Sequence, residues 1–202
     1  MRPASHGWSV VPVCSGNDID TDRIIPGRFL RTLTFAGLGE HAFADDRRLA
    51  KGDHPFDVAR FRGASILFVG MNFGCGSSRE HAARALRARG LRAVVGSSFG
   101  EIFRGNCAAL GLPCVTLAPG DLEAAMDDVE LAPRQEAVID LEARTVRCRR
   151  GAFPLDMPES IRHPLLEGTW DTTSVLLQAG DAIERCAQKL PYLTGFPGGA
   201  QK

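Results

Sequence analysis

The sequence predicts an α/β domain with a parallel βαβαβ core and a separate antiparallel hairpin. Three observations carry this prediction. Residues 64–70 read ASILFVG, a continuous apolar run of the kind found in strands covered on both faces, LRAVVG at 91–96 reads as a second buried strand and LPCVTL at 112–117 as a third. The two gaps between them hold segments of helical length, SREHAARALRAR at 78–89 and the stretch from Ser98 to Leu110, so the crossovers are helices and the strands parallel. Further on, AVIDLEARTVRCRR at 137–150 alternates apolar and polar residues and reverses near Glu142-Ala143, the pattern of a two-stranded hairpin.

In chain order, WSVVPV at 8–13 reads as a short strand. Residues 16–28, GNDIDTDRIIPGR, form a polar segment in which Asp and Asn favour turns and Pro26-Gly27 is a turn signal. Residues 29–62 are mixed in character and read as a long loop with short helical pieces, a length of connection that usually serves function. The strand at 64–70 runs into NFGCGS and then the first crossover helix, where Ser77 and Glu80 have capping-box spacing and Gly90 stands in the stop position. The second crossover helix shows the same signs, with Ser98 and Glu101 at its start and Gly111 at its end. Residues 121–128 suit a short helix, 158–167 and 172–189 read as helices, and about 192–202 as a flexible tail. The whole chain, 1–202, reads as one domain, a size that buries a core without staples.

Composition removes several classes of function. The 24 basic and 24 acidic residues cancel, whereas a nucleic-acid domain usually carries a basic excess. No apolar stretch reaches about 18 residues, so no membrane span is expected, and Met1 to Val13 lacks the apolar core of a secretory signal. A cytoplasmic protein is expected. Six cysteines are scattered with no Cys-x-x-Cys pair, so neither zinc nor an iron–sulfur cluster is suggested within this chain. They read as reduced, small apolar residues.

The stretch from Gly70 to His81, GMNFGCGSSREH, carries the chemistry. It lies beyond the carboxyl end of a buried strand and before a helix, where open α/β sheets bind ligands. Gly74 and Gly76 permit unusual dihedrals and a close backbone approach. A helix start favours an anion, and Arg79 adds a guanidinium able to grip a carboxylate through two bonds. The loop lacks the lysine of a phosphate loop, the glycine spacing of a dinucleotide fingerprint and the flanking glycines of a nucleophile elbow. Ser77 can be read as a helix cap or as a base whose alkoxide is stabilised by nearby donors, and the two roles are compatible. His81 beside Glu80, the turn-forming Asp20 and Asp22, and Cys75 all have structural readings.

The run Asn72 to Ala82, NFGCGSSREHA, resembles the signature of the 3-isopropylmalate dehydratase small subunit family, the swivelling domain of the aconitase superfamily. Asp18-Ile19-Asp20-Thr21-Asp22 resembles the family's Asp-Thr-Asp segment. Ser98 to Asn106, Leu112-Pro113 and Arg162-His163 extend the likeness over roughly residues 8–185. The resemblance implies a layered swivelling β/β/α domain. It implies isomerisation of 2-isopropylmalate to 3-isopropylmalate by dehydration and rehydration, in leucine biosynthesis. It implies a large partner subunit carrying a [4Fe–4S] cluster whose open iron acts on the substrate. On this chain it implies Ser77 as the base, Arg79 with Ser78 on a substrate carboxylate, and Arg31 and Thr32 in the segment that recognises the substituent. Gly74, Gly76, Asp20 and Thr21 would support the loop.

The chain departs from the commonest pattern after His81-Ala82, where Ala83-Arg84 replace the usual proline, and near its end, with Pro164 and LPYLTGF. A related hydratase for another substituted malate, of the citraconate, dimethylmaleate or homoaconitate type, stays open on the sequence. So do a non-catalytic anion-binding subunit and a stand-alone nucleotide-binding domain.

Overall fold

The computed structural model describes residues 8–12, 16–31, 37–77, 79–132 and 136–194, with backbone alone for 8–12, 31 and 194. The chain divides into two compact units, Met1–Trp170 and Asp171–Lys202.

The first unit is built on a seven-stranded mixed sheet. Its strands are β1 (Trp8–Pro12), β2 (Ile66–Phe68), β3 (Ala93–Gly96), β4 (Cys114–Thr116), β5 (Glu136–Asp140), β6 (Thr145–Cys148) and β7 (Gly151–Pro154), in the order β4-β3-β2-β1-β5-β6-β7. From β4 to β1 the pairing is parallel, with Val95 opposite both Phe68 and Val115. From β1 to β7 it is antiparallel. The expected parallel core and hairpin are both present. β1 joins them, and β7 extends the hairpin to a three-stranded meander that residue patterning did not show. Its burial is mostly exposed, so no apolar alternation marks it in the sequence.

Strands β2 and β3 are buried at every residue because both faces are covered. Ile66, Leu67, Phe68, Val94 and Val95 are fully buried. Helix α3 (Glu80–Ala88) crosses from β2 to β3, and helix α4 (Glu101–Ala109) from β3 to β4. Both end as the glycines predict. Gly90 has φ +104, its N–H donates to Arg87 O, and Leu91 N–H reaches back to Leu86 O. Gly111 (φ +65) and Leu112 repeat that pattern on Ala108 and Cys107. These paired bonds satisfy the last carbonyls of each helix and turn the chain into a buried strand.

The helix starts differ from the capping-box expectation. The N-cap positions are Arg79 and Gly100, and neither supplies a side-chain cap. The loop claims both serines instead. Ser98 Oγ accepts from Asn72 N at 2.8 Å, and Ser77 Oγ accepts from Arg79 Nε at 3.0 Å. Gly100 sits so close to the loop that a Cβ there would lie 2.6 Å from Gly74 O.

Between β1 and β2 the expected short pieces appear as α1 (Thr21–Ile24), a 3-10 turn at Gly27–Arg31, another at Leu38–His41, α2 (Ala44–Ala50) and a last 3-10 turn at Ala59–Phe61. Phe43 anchors them. It is fully buried, packs near Phe56 and Phe73, and bonds its N–H to Ile24 O at 2.9 Å. His54 is buried beside it, its Nδ1 accepting from Phe56 N at 3.1 Å. After β4, α5 (Pro119–Leu131) is longer than the segment expected at 121–128, and Pro119 suits its first turn. Helix α6 (Glu159–Glu167) falls where the sequence places it.

In the second unit the helix expected over 172–189 is two helices, α7 (Thr172–Gln178) and α8 (Gly180–Ala187), followed by α9 (Pro191–Thr194). Asp171 caps α7 by accepting from Ser174 N at 3.1 Å. Neither α7 nor α8 has a buried residue. Residues 195–202, most of the expected tail, lie outside the described residues.

Burial holds the His54 imidazole below its ordinary value of 6.5, against a smaller opposing pull from Asp57 and Asp46. The unfolded chain therefore takes up a proton at a higher pH than the folded one. Stability is full above 6.5 and falls as pH drops below it, by at most about 1.4 kcal/mol per pH unit. Denaturant melts across this range, still above the carboxylate titrations, should show that decline. It should flatten in His54→Phe, and an unchanged slope in the variant would assign the decline to other groups.

Candidate active-site loop

Residues 70–77 leave the carboxyl end of β2 and are clamped by the Gly16–Thr21 segment that follows β1. Asp18 N bonds Met71 O at 2.9 Å, Gly74 N bonds Ile19 O at 2.7 Å, and Thr21 N bonds Cys75 O at 3.0 Å. Side chains add to the clamp. Asn17 Oδ1 accepts from Met71 N at 2.8 Å, and Asn72 Nδ2 donates to Asp18 Oδ1 at 2.7 Å. Asp18 and Asn72 both have positive φ, 57° and 54°, a conformation that Asp and Asn tolerate better than most residues. Thr21, buried in α1, donates its hydroxyl to Ser77 O at 3.0 Å and so pins the far end of the loop.

Such close packing requires glycine. A Cβ on Gly70 would lie 2.6 Å from Gly16 O, and one on Gly74 only 2.2 Å from Phe103 Cγ. Gly74 has φ +75 as well. Gly76 differs: its φ is +88, yet a Cβ would meet nothing nearer than 3.5 Å. Conformation dictates Gly76, and both conformation and space dictate Gly74.

At the open end of the loop Ser77 is exposed, and Arg79, at the start of α3, turns back over it. The guanidinium places Nε on Ser77 Oγ and Nη1 2.5 Å from Asp22 Oδ1. The carboxylate lies off the N–H directions, so Nη1 is ion-paired and buried without a hydrogen bond. Arg79 is 23% exposed and Asp22 54%, so the pair orients the guanidinium more than it stabilises the fold. Asp20 caps α1 by accepting from Arg23 N at 2.8 Å, and Arg23 in turn bonds Asp46 of α2 at 2.8 Å. These bonds aim α1, and thereby Asp22, at Arg79.

The structure thus brings together Ser77, Arg79, Gly74, Gly76, Asp20 and Thr21. Arg31 closes the 3-10 turn at Gly27–Arg31, on the same side of the sequence as α1, with its backbone alone described. Ser78 and Thr32 lie outside the described residues. Asp22, read from the sequence as a turn former, is the residue that sequence reasoning placed too modestly. Its position two residues after Asp20, on a short helix, was the available signal. Cys75 is not primed as a nucleophile, because burial, then Asp20 and Asp18, push its thiol above the ordinary range. Among the described residues no group of three or more His, Cys, Asp or Glu side chains could hold a metal ion. No helix there is long and apolar enough to cross a membrane.

A strand end, a helix start and a guanidinium over an exposed serine make a candidate site on an α/β domain, and comparison with known proteins gives the family of that domain. The aconitase C-terminal domain model matches residues 13–120. The 3-isopropylmalate dehydratase small subunit of Synechocystis is 48% identical over 178 residues, 88% of this chain and 89% of the relative. A counterpart in Thermus thermophilus is 49% identical over 180 residues, covering 88% and 90%. The crystal structure of a 3-isopropylmalate dehydratase from Methanocaldococcus jannaschii is similar with a TM-score of 0.62 at 26% identity, over 86% of this chain and 97% of that one. The chain belongs to the 3-isopropylmalate dehydratase small subunit family, within the aconitase C-terminal domain family.

The two loop glycines make separable predictions. Gly76→Ala incurs only the left-handed backbone cost, about 1–2 kcal/mol. Gly74→Ala adds a steric clash with the buried Phe103 ring and should cost roughly 3 kcal/mol or more. Equal losses in chemical denaturation would show that Phe103 moves aside freely.

Proposed function

We propose that this chain is the small subunit of a hydro-lyase that converts 2-isopropylmalate to 3-isopropylmalate, in leucine biosynthesis, together with a large iron–sulfur subunit. The observation that carries the proposal is the hydrogen bond from Arg79 Nε to Ser77 Oγ at the exposed end of the loop. A serine hydroxyl alone is far too weak an acid to act as a base near neutral pH. A guanidinium donating to its oxygen favours the alkoxide, in the same way that positioned donors stabilise a developing oxyanion. Ser77 Oγ then removes the carbon-bound proton of the substrate and returns it to the neighbouring carbon on rehydration. Arg79 has donors left over and binds one substrate carboxylate, with Asp22 holding the plane of the guanidinium. In the same reading Ser78 supports that carboxylate, and the Arg31–Thr32 segment recognises the substituent.

In this reading the [4Fe–4S] cluster sits on the large subunit, where it would supply a Lewis acid for the leaving hydroxyl; six cysteines without a Cys-x-x-Cys pair in this chain support that placement. The relatives' name, small subunit, supports a large partner. So do two exposed apolar residues, Met71 on the loop (49% exposed) and Ile102 on the adjoining first turn of α4 (54%). A soluble, cytoplasmic setting agrees with a biosynthetic activity on a small polar acid.

Ser77→Ala tests the base. Ser77 does not cap α3 and is exposed, and its carbonyl contact with Thr21 survives the change, so stability should shift by less than about 0.5 kcal/mol. In the assembled dehydratase, turnover and exchange of the carbon-bound proton with solvent should fall by about 10²–10⁴. Proton exchange at the wild-type rate would remove Ser77 from the chemistry.

Arg79→Lys keeps the charge but loses the planar geometry that serves Ser77 and Asp22 at once. The loss of a charge-assisted bond, about 1.5–3 kcal/mol, should lower kcat/KM by roughly ten- to a hundred-fold. Because Arg79 also stabilises the alkoxide, kcat should fall along with binding. A change confined to KM would restrict Arg79 to holding the carboxylate.

A further inference from the structure

A cavity of about 400 Å³ opens at the end of the sheet opposite to the Gly70–Arg79 loop. Its wall includes Gly63 and Ala64, just ahead of β2, and Leu91, just ahead of β3. This volume lies in the lower part of the range of small-molecule sites. The apolar lining comes from Phe56, Phe61 and Leu91, and the charged lining from Asp57, Arg62 and Arg89.

The charges do not balance within the cavity. Asp57 is already committed to Arg47 of α2, which grips it through Nε at 2.9 and 3.0 Å and through Nη2 at 2.5 Å. That partner holds the Asp57 carboxyl below its ordinary range, so the pair is charged on both sides and neutral in sum. Neither Arg62 nor Arg89 forms a salt bridge with a carboxylate among the described residues, and Asp57 and Glu40 act on Arg89 only at longer range. Arg89 is held in place by one bond, Nη2 to Phe56 O at 2.8 Å, and lies 5.4 Å from the centre of the Phe56 ring. Among the described residues its other donors make no further hydrogen bond. A fixed, partly buried guanidinium beside apolar walls, with a second guanidinium on the same lining, has the complementarity of an anion carrying an apolar body. A bare inorganic anion would leave the aromatic wall wet, and a neutral apolar molecule would leave both cations without a partner.

We propose that this cavity binds a short monocarboxylate with a branched or aromatic apolar body, at a site separate from the Ser77–Arg79 loop. The carboxylate lies between Arg62 and Arg89, and the apolar body lies against Phe56, Phe61 and Leu91. The proposal does not depend on the dehydratase reading, since none of these residues touches Ser77 or Arg79.

Phenylacetate, titrated into the full-length chain and followed by two-dimensional amide spectra, tests it. Saturable shifts are expected at Gly63, Ala64 and Leu91, with a dissociation constant on the order of 1 mM, as suits so small a ligand. Phenylacetamide, which has the same shape without the charge, should bind at least roughly tenfold more weakly. Arg62 is exposed, so Arg62→Ala should fold normally and weaken phenylacetate by a similar factor. Arg79→Lys should leave this binding unchanged, which separates it from any carboxylate effect at the loop. Equal binding of the acid and the amide, or shifts confined to residues 72–77, would overturn the proposal. Exclusion of phenylacetate by an added large subunit, with shifts at the same residues, would also overturn it by assigning the cavity to the subunit contact.

Discussion

Most of the site depends on the backbone clamp between the segment after β1 and the loop after β2. Asn17 and Met71 are 54 residues apart in sequence, yet they meet within 2.8 Å, and three backbone bonds follow from Asp18 to Thr21. Adjacent parallel strands make this possible, because β1 and β2 deliver their carboxyl ends side by side. The glycines at 70, 74 and 100 let the chains approach within distances that any Cβ would block. The clamp also satisfies buried backbone groups that a loop at the end of a sheet would otherwise leave without partners.

A second, weaker layer sets the direction of Arg79. Asp20 starts α1, Arg23 ties α1 to α2 through Asp46, and Arg28 ties the next turn to Asp45. Each of these exposed pairs is worth little on its own. Their combined effect is geometric: α1 presents Asp22 to Arg79, and Arg79 reaches Ser77. α2 also grips Asp57 at the wall of the distant cavity, so one short helix supports both ends of the domain. A guanidinium that serves a serine and an aspartate together is better ordered than a free one.

Several features were plain in the residues. β2 and β3 are unbroken apolar runs because helices or other chain cover both faces, and that pattern survives without any knowledge of the partners. Gly90 and Gly111 end α3 and α4 because a left-handed residue is a local requirement. The run NFGCGSSREHA lies between a strand and a helix, where its glycines and Arg79 mark the loop as the candidate site.

What the residues could not reveal involves competition between distant groups. Ser77 and Ser98 have the spacing of helix caps, and local rules assign them to that work. In the fold, Arg79 and the Asn72 amide reach their oxygens instead, and the helices begin without side-chain caps. β7 carries no apolar alternation, so only its pairing with β6 defines it. The partnership of Asp22 with Arg79 and the two cations that line the cavity likewise depend on segments brought together by the sheet. Sequence determines what is decided within a turn or a strand, since periodicity and dihedral limits act over a few residues. Tertiary structure decides which of several competent donors meets each acceptor, because that depends on distances between residues tens of positions apart.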